Sequence, residues 1–149
     1  MIFKEVELTD KILSELIACS EAWEQENSCH GYRKNAEEDI KGNRIFLARE
    51  EEQMVGYLFG YMDKGERKNA IHEKDEPFFE VEELYVKPEL RSRGIGKQLF
   101  QYMEEKMKEE KCVSLFSVYF INLCKEVTLK LVSFIIILEL DQKLVSKGA

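Results

Sequence analysis

Residues 91–97, Arg-Ser-Arg-Gly-Ile-Gly-Lys, place two glycines and three basic side chains directly before an amphipathic helical pattern. The start of a helix leaves main-chain N–H groups without intrahelical partners and carries partial positive charge. Because Gly94 and Gly96 have no Cβ atoms, an anion can approach the main chain closely, and the basic side chains add formal charge. The turn therefore predicts a site for an anion such as a phosphate, with a solvated basic turn as the alternative.

Two other phosphate-binding glycine motifs do not fit this spacing. A dinucleotide-binding fingerprint follows its strand directly and has a third glycine, whereas this chain has an intervening spacer and Leu99 at that position. A P-loop has Gly-Lys followed by Ser or Thr, whereas this chain has Gln98.

The anion-binding turn connects a predicted strand to a predicted helix. Residues 81–86 are largely β-branched, apolar and aromatic, and Pro88 prevents the strand from continuing. After the turn, apolar side chains recur from Ile95 to Met107 at the spacing of one helical face. We therefore expect the order strand, turn, helix.

Three carboxylates occupy the predicted strand. Glu80 and Glu82 are two residues apart, so they are expected to share one face, which Leu84 continues. Glu83 is expected to point the other way as a surface charge. A carboxylate pair attracts a cation and can accept a proton, although solvated edge charges are the alternative.

The rest of the chain predicts alternating strands and helices. In order, we expect a strand over 2–8, a helix capped by Thr9 and running to about Glu26, a short helix over 36–41, a hairpin of strands 44–49 and 54–61, a strand over 112–119, a short helix near 122–126 and a last strand over 133–140.

Length and composition predict a single domain over residues 1–149, with a frayed tail at 144–149. The net charge of −7 argues against a nucleic-acid surface, which needs a basic footprint. The four cysteines form no CxxC pair, so we expect reduced thiols, a cytoplasmic location and no metal site. No signal peptide is recognisable, and the apolar run 129–140 is too short to cross a bilayer, so no membrane association is expected.

The central stretch resembles the acyl-CoA-binding core of the GNAT superfamily of N-acetyltransferases. Its pattern is a strand followed by Arg/Gln-x-x-Gly-x-Gly/Ala, which Arg91, Gly94 and Gly96 match. The resemblance implies an α/β (α+β) fold with a mixed, mostly antiparallel central sheet of six to seven strands, flanked by about four helices and splayed at the cofactor strand.

By the same resemblance, the main-chain N–H groups of the turn hold the pyrophosphate of acetyl-CoA, and the end of the strand pairs with its pantetheine arm. The implied cofactor-binding residues are Leu84, Tyr85, Val86, Arg91, Ser92, Arg93, Gly94, Ile95, Gly96, Lys97 and Asn122.

In proteins of this kind a general base removes a proton from the acceptor amine, and the base comes from the position of Glu82 or of Glu80. The region that lines the acceptor cleft is acidic here, with Glu21, Glu24, Glu26, Glu37, Glu38 and Asp39. This favours a small cationic acceptor: an aminoglycoside, a polyamine or a peptide amine. Trp23, Tyr32 and Phe79 are candidate walls of that site, although aromatic residues at such spacings are more often part of the core.

The chain departs from the family pattern near its C-terminus. Leu129 stands where many members have a tyrosine that protonates the departing thiolate, and Tyr119 is a candidate to replace it in space. The alternative function is therefore a non-catalytic acyl-CoA-binding or regulatory module with a degenerate C-terminal half. A homodimer formed through the apolar C-terminal strand is a further hypothesis.

Overall fold

The computed structural model describes residues 1–28, 30–63, 78–110 and 114–116. The elements in these ranges are β1 (Ile2–Val6), α1 (Asp10–Gln25), α2 (Glu37–Ile40), β2 (Arg44–Glu50), β3 (Gln53–Asp63), β4 (Phe78–Val86), a 3-10 turn (Pro88–Leu90), α3 (Ile95–Glu109) and β5 (Ser114–Phe116). The elements predicted before residue 110 are confirmed, with bounds shifted by a few residues. The helix predicted near 122–126 and the strand predicted over 133–140 lie outside the described residues.

The described strands form one sheet in the order β1-β2-β3-β4-β5. The first three pairings are antiparallel, whereas β4 and β5 pair in parallel. A parallel pair needs a long crossover connection, and α3 provides it. The prediction of a mixed, mostly antiparallel sheet with flanking helices is confirmed.

Each face of the sheet has its own apolar core. The core on the α3 side includes Phe46, Leu58, Phe79, Val81, Leu84, Leu99 and Met103. The core on the α1 side includes Leu16, Trp23, Ile40, Tyr57, Phe59 and Tyr85. This division follows the alternation of side chains along strands and the apolar stripes of the helices.

A β-bulge interrupts the alternation in β4. Phe59 of β3 pairs with Glu83 and the next residue, Gly60, pairs with Val81, so Glu82 is an extra residue in β4. A Cβ atom at Gly60 would lie 2.0 Å from the carbonyl oxygen of Glu80, so this close approach requires glycine.

The bulge changes which side chains share a face. Val81 and Leu84 both lie in the α3-side core, whereas Glu83 contacts Tyr57 of the α1-side core. The expectations that Glu83 is a surface charge and that Leu84 continues the face of Glu82 are therefore wrong. The physical reason is the extra residue, which shifts the phase of the alternation by one position.

Candidate active site

The C-terminal half of β4 presents backbone groups at the edge that faces β5. The N–H of Lys87 donates to the carbonyl of Val55 across the β3 pairing, at 2.9 Å. Because the direction of backbone groups alternates along a strand, the N–H groups of Leu84 and Val86 point to the opposite edge. Among the described residues, β5 pairs with β4 only over Phe78–Glu80, so these two groups lie beyond that pairing.

The turn before α3 presents a second set of N–H groups. Gly94 is the N-cap of α3 and has a φ angle of +80°, a left-handed conformation that favours glycine. Within the described ranges, the N–H groups of residues 93–96 have no hydrogen-bond partner, and the first bond of the helix is from Gln98 to the Gly94 carbonyl. These groups therefore lie at the positive end of the helix and are open to an anion.

The side chain of Arg91 makes other contacts. Its guanidinium is bound to the Glu26 carboxylate through two hydrogen bonds, of 2.9 and 3.1 Å, and its Nε donates to the carbonyl of Val86. It also lies over the ring of Tyr85, at 5.4 Å from the centroid. The positive charge of Arg91 is thus paired with Glu26, and the side chain joins the end of β4 to the end of α1.

An open cleft of about 710 Å³ lies on the α1 side of the sheet, next to the bulge. Four carboxylates line it, those of Glu38, Asp39, Glu82 and Glu83, together with one cation, Lys41. Lys41 is paired with Glu37 at 2.6 Å. The described lining of the cleft is therefore strongly acidic and attracts cations.

Glu82 lies in this cleft and is half-buried. The side-chain amide of Asn43 donates to its Oε2 at 3.1 Å. Desolvation raises the pKa of Glu82, the charges of Glu80 and Asp39 raise it further, and the hydrogen bond from Asn43 opposes the shift. A carboxylate with a raised pKa is a stronger base near neutral pH.

Glu80 lies beside the same cleft, because it accepts a hydrogen bond of 2.6 Å from the hydroxyl of Tyr61, which lines the cleft. Its charge is one of those that raise the pKa of Glu82. The structure therefore brings the two predicted carboxylates to one face of the sheet.

Glu83 is the residue of this site that the sequence reasoning missed. The residue is only 7% exposed, and its carboxylate accepts hydrogen bonds from the hydroxyls of Tyr57 and Tyr32, at 2.5 and 2.7 Å, and from the side-chain amide of Asn35. Burial raises the pKa of Glu83 although these hydrogen bonds oppose the shift. A glycine inside a strand pattern, here Gly60, is the sequence signal for the bulge that turns Glu83 inward.

The three aromatic residues that were predicted to line the acceptor site lie in different environments. The ring of Tyr32 packs on Trp23, with centroids 4.3 Å apart, and its hydroxyl reaches Glu83. Trp23 is buried in the α1-side core, and Phe79 is fully buried on the other face of the sheet, against Phe46. Asn122 lies outside the described residues.

Comparison with known proteins identifies the family. A family model described as the acetyltransferase (GNAT) family matches residues 10–123. An uncharacterised N-acetyltransferase of Lactobacillus delbrueckii subsp. lactis, from the pepI 3' region, is 29% identical over 122 residues, which are 71% of this chain and 68% of that protein.

Two solved structures show the same fold. A tetramutant of the BH1408 protein from Bacillus halodurans superposes with a TM-score of 0.65 at 17% identity, over 90% of this chain and 92% of that one. An aminoglycoside N-acetyltransferase in complex with CoA superposes with a TM-score of 0.56 at 16% identity, over 78% and 77%.

The chain therefore belongs to the GNAT family of acetyltransferases, as the residues of the turn predict, and it is an N-acetyltransferase. None of the helices in the described ranges has the length and apolar composition of a membrane span.

Proposed function

We propose that the protein transfers the acetyl group of acetyl-CoA directly to a primary amine of a small cationic acceptor, with Glu82 as the general base. The observation that carries this proposal is the position of Glu82: it is a half-buried carboxylate in an acidic cleft, two residues before the part of β4 that lies beyond the described pairing with β5. Donor and acceptor sites would then adjoin along β4.

We expect backbone groups to bind acetyl-CoA. The N–H groups of residues 93–96 at the start of α3 would bind the diphosphate. The pantetheine arm would pair with the edge of β4 at Leu84 and Val86 as an added strand. An N–H of this edge would donate to the thioester carbonyl and stabilise the negative charge that develops on its oxygen. The side chain of Arg91, being paired with Glu26, would support the strand end.

The acceptor amine must lose a proton to react. A lysine-like ammonium has a pKa of about 10.4, so most of it is protonated at neutral pH. Glu82 would accept one proton of the ammonium, and the nitrogen lone pair that this frees would form a bond to the thioester carbonyl carbon. The C–S bond then breaks, the sulfur leaves as a thiolate, and the nitrogen loses its second proton to that thiolate or to water. The raised pKa of Glu82 suits this task.

The acidic lining supports a cationic acceptor, such as an aminoglycoside, a polyamine or a peptide amine. A neutral or anionic acceptor would gain nothing from these charges. We therefore expect faster turnover with spermidine, kanamycin or a lysine peptide than with an acidic peptide that has a free N-terminus.

The experiment follows free thiol while the purified protein is mixed with acetyl-CoA and this panel of amines. Glu82→Gln should lower kcat by about 10²- to 10⁴-fold without changing the Kd for CoA. Glu80→Gln should have a smaller effect, because Glu80 is bonded to Tyr61. Glu105→Gln, on the exposed side of α3, is the matched control and should behave like the wild type.

Two results would contradict the proposal. If Glu82→Gln keeps kcat within about threefold of the wild type, Glu82 is not the base. If CoA binds tightly but no amine of the panel releases thiol, the proposed reaction with these acceptors is wrong, and the non-catalytic acyl-CoA-binding module gains support.

A further inference from the structure

A group of hydrogen bonds centred on Glu83 attaches the segment between α1 and α2 to the sheet. Tyr32 and Asn35 lie in this segment, whose described residues have no regular secondary structure, and both donate to the Glu83 carboxylate. Tyr57 donates from β3, at 2.5 Å. On the other side, Ser20 of α1 bonds the hydroxyl of Tyr32 and accepts the N–H of Asn35. The carboxylate therefore joins β3, β4 and this segment at one point.

The hydrogen bonds from these donors stabilise the buried carboxylate. Among the residues that the structure describes, no lysine or arginine pairs with Glu83. A buried carboxylate without a cation needs hydrogen bonds to compensate its lost hydration. Desolvation raises the pKa of the hydroxyls of both Tyr32 and Tyr57, so both stay protonated and donate. Removing the carboxylate would leave two hydroxyls and an amide to find other partners.

The attached segment also forms part of the acceptor cleft. Asn35 lines the cleft beside Glu83, to which it donates, and α2 begins two residues later with Glu37. The cleft carboxylates Glu38 and Asp39 lie on α2, so their positions depend on how the segment is held.

We propose that Glu83 is a positioning residue for the acceptor: through Tyr32 and Asn35 it holds the wall of the cleft at a set distance from the base, Glu82. This inference rests on the proposed function. Of the four carboxylates that line the cleft, Glu83 is the buried one, and its oxygens are occupied by these hydrogen bonds. We therefore expect Glu83 to act through its hydrogen bonds, and the charges that attract the acceptor to be those of Glu38, Asp39 and Glu82. A direct electrostatic attraction of the acceptor would instead depend on the charge of Glu83.

Two variants at Glu83 distinguish these roles. In Glu83→Gln, the amide oxygen can still accept from both tyrosines, and Asn35 can turn its own amide over to accept from the new NH₂ group. In Glu83→Met, the size is similar but no acceptor remains. Positioning predicts a wild-type acceptor KM for Glu83→Gln and a KM raised about tenfold for Glu83→Met, with kcat changed by less than about threefold and an unchanged Kd for CoA.

A spectroscopic measurement tests the same point without turnover. The chain contains one tryptophan, Trp23, whose ring packs on Tyr32. Acrylamide should quench its fluorescence more strongly in Glu83→Met than in the wild type, and equally in Glu83→Gln and the wild type. Tyr32→Phe, which loses one hydroxyl donor, should shift KM in the same direction by a smaller factor.

The matched control is Glu104→Met, because Glu104 is a second buried carboxylate, 6% exposed, on α3. It should change neither the acceptor KM nor the quenching. The acceptor is the amine of the panel that the wild type acetylates fastest.

Three outcomes would overturn the inference. An acceptor KM raised equally in Glu83→Gln and Glu83→Met would show that the charge acts on the acceptor. A wild-type KM in Glu83→Met would show that the wall does not depend on Glu83. If Glu83→Met does not fold, a wild-type acceptor KM together with wild-type quenching in Tyr32→Phe would also show that the wall does not depend on Glu83. If the wild type releases thiol with none of the amines, that result contradicts the proposed function itself and not the role of Glu83.

Discussion

The substitution Gly60→Ala should disrupt the bulge that brings Glu82 and Glu83 to the cleft. An alanine Cβ at this position would lie 2.0 Å from the carbonyl oxygen of Glu80 and 2.8 Å from the ring of Phe79. The carbonyl is part of the backbone and cannot rotate away. To restore an ordinary contact, β3 and β4 would have to separate locally by roughly 1.4 Å.

The magnitude follows from that clash. Overpacking a well-packed core typically costs about 1–3 kcal/mol, and a clash with backbone should lie at or above the upper end. For a chain of this size, each kcal/mol lowers Tm by about 2–4 °C, so we expect a decrease of about 6–12 °C. If the strands instead pair again without the bulge, Glu82 and Glu83 can no longer both face the cleft. Acetyl transfer should therefore decrease more than CoA binding.

The assay is thermal unfolding followed by circular dichroism, together with calorimetric titration of CoA. For thermal unfolding, the control is Gly96→Ala, whose Cβ would meet, among the described residues, the side chains of Leu84 and Val86 at 3.4 and 3.6 Å. This change in a helix should be neutral or stabilising by up to about 1 kcal/mol. A Gly60→Ala protein that unfolds within about 1 °C of the wild type would refute the reasoning from the clash.

Three other substitutions test separate parts of the structure. Asn43→Ala removes a hydrogen bond that favours the charged form of Glu82, so the pKa of Glu82 should rise and the acidic limb of kcat/KM against pH should move to higher pH; an unmoved limb would argue against Glu82 as the base. Gly94→Glu should raise the Kd for CoA by at least about 100-fold, because it puts a long side chain and a negative charge beside the diphosphate; Gly94→Ala, with the same φ strain but only a methyl group, should lose less affinity, and an unchanged Kd in Gly94→Glu would contradict the assignment of the turn. Thr9→Ala removes the side-chain cap of α1 and should cost about 1 kcal/mol in thermal unfolding, with Thr9→Ser restoring it; an unchanged Tm would mean that the bond to Ile12 contributes little.

Local patterns in the sequence predicted most of the described elements. The apolar spacing from Ile95 to Met107 is the face of α3 that is buried in the structure, and the threonine before α1 is its N-cap. The turn with Gly94 and Gly96 predicted the family and the backbone N–H groups at the start of α3. Each of these features depends on residues that are close together in the chain, so a short stretch of sequence is enough to predict it.

The side-chain environment of the site was harder to predict. Arg91 is paired with Glu26, which is 65 residues away in the sequence, so the spacing of the turn cannot show that its charge is compensated. Trp23 and Phe79 are buried in cores on opposite faces of the sheet. Whether an aromatic residue lines a cleft or fills a core depends on which elements pack against it.

The sequence by itself determined the order of the described elements, the glycine-containing turn before α3 and the presence of carboxylates on the strand before it. Only the tertiary structure decided which carboxylates face the cleft. That outcome depends on the close contact between Gly60 of β3 and the backbone of Glu80 of β4, which forms only when the two strands pair. At this point β4 has one extra residue, which reverses the direction of every side chain that follows in the strand.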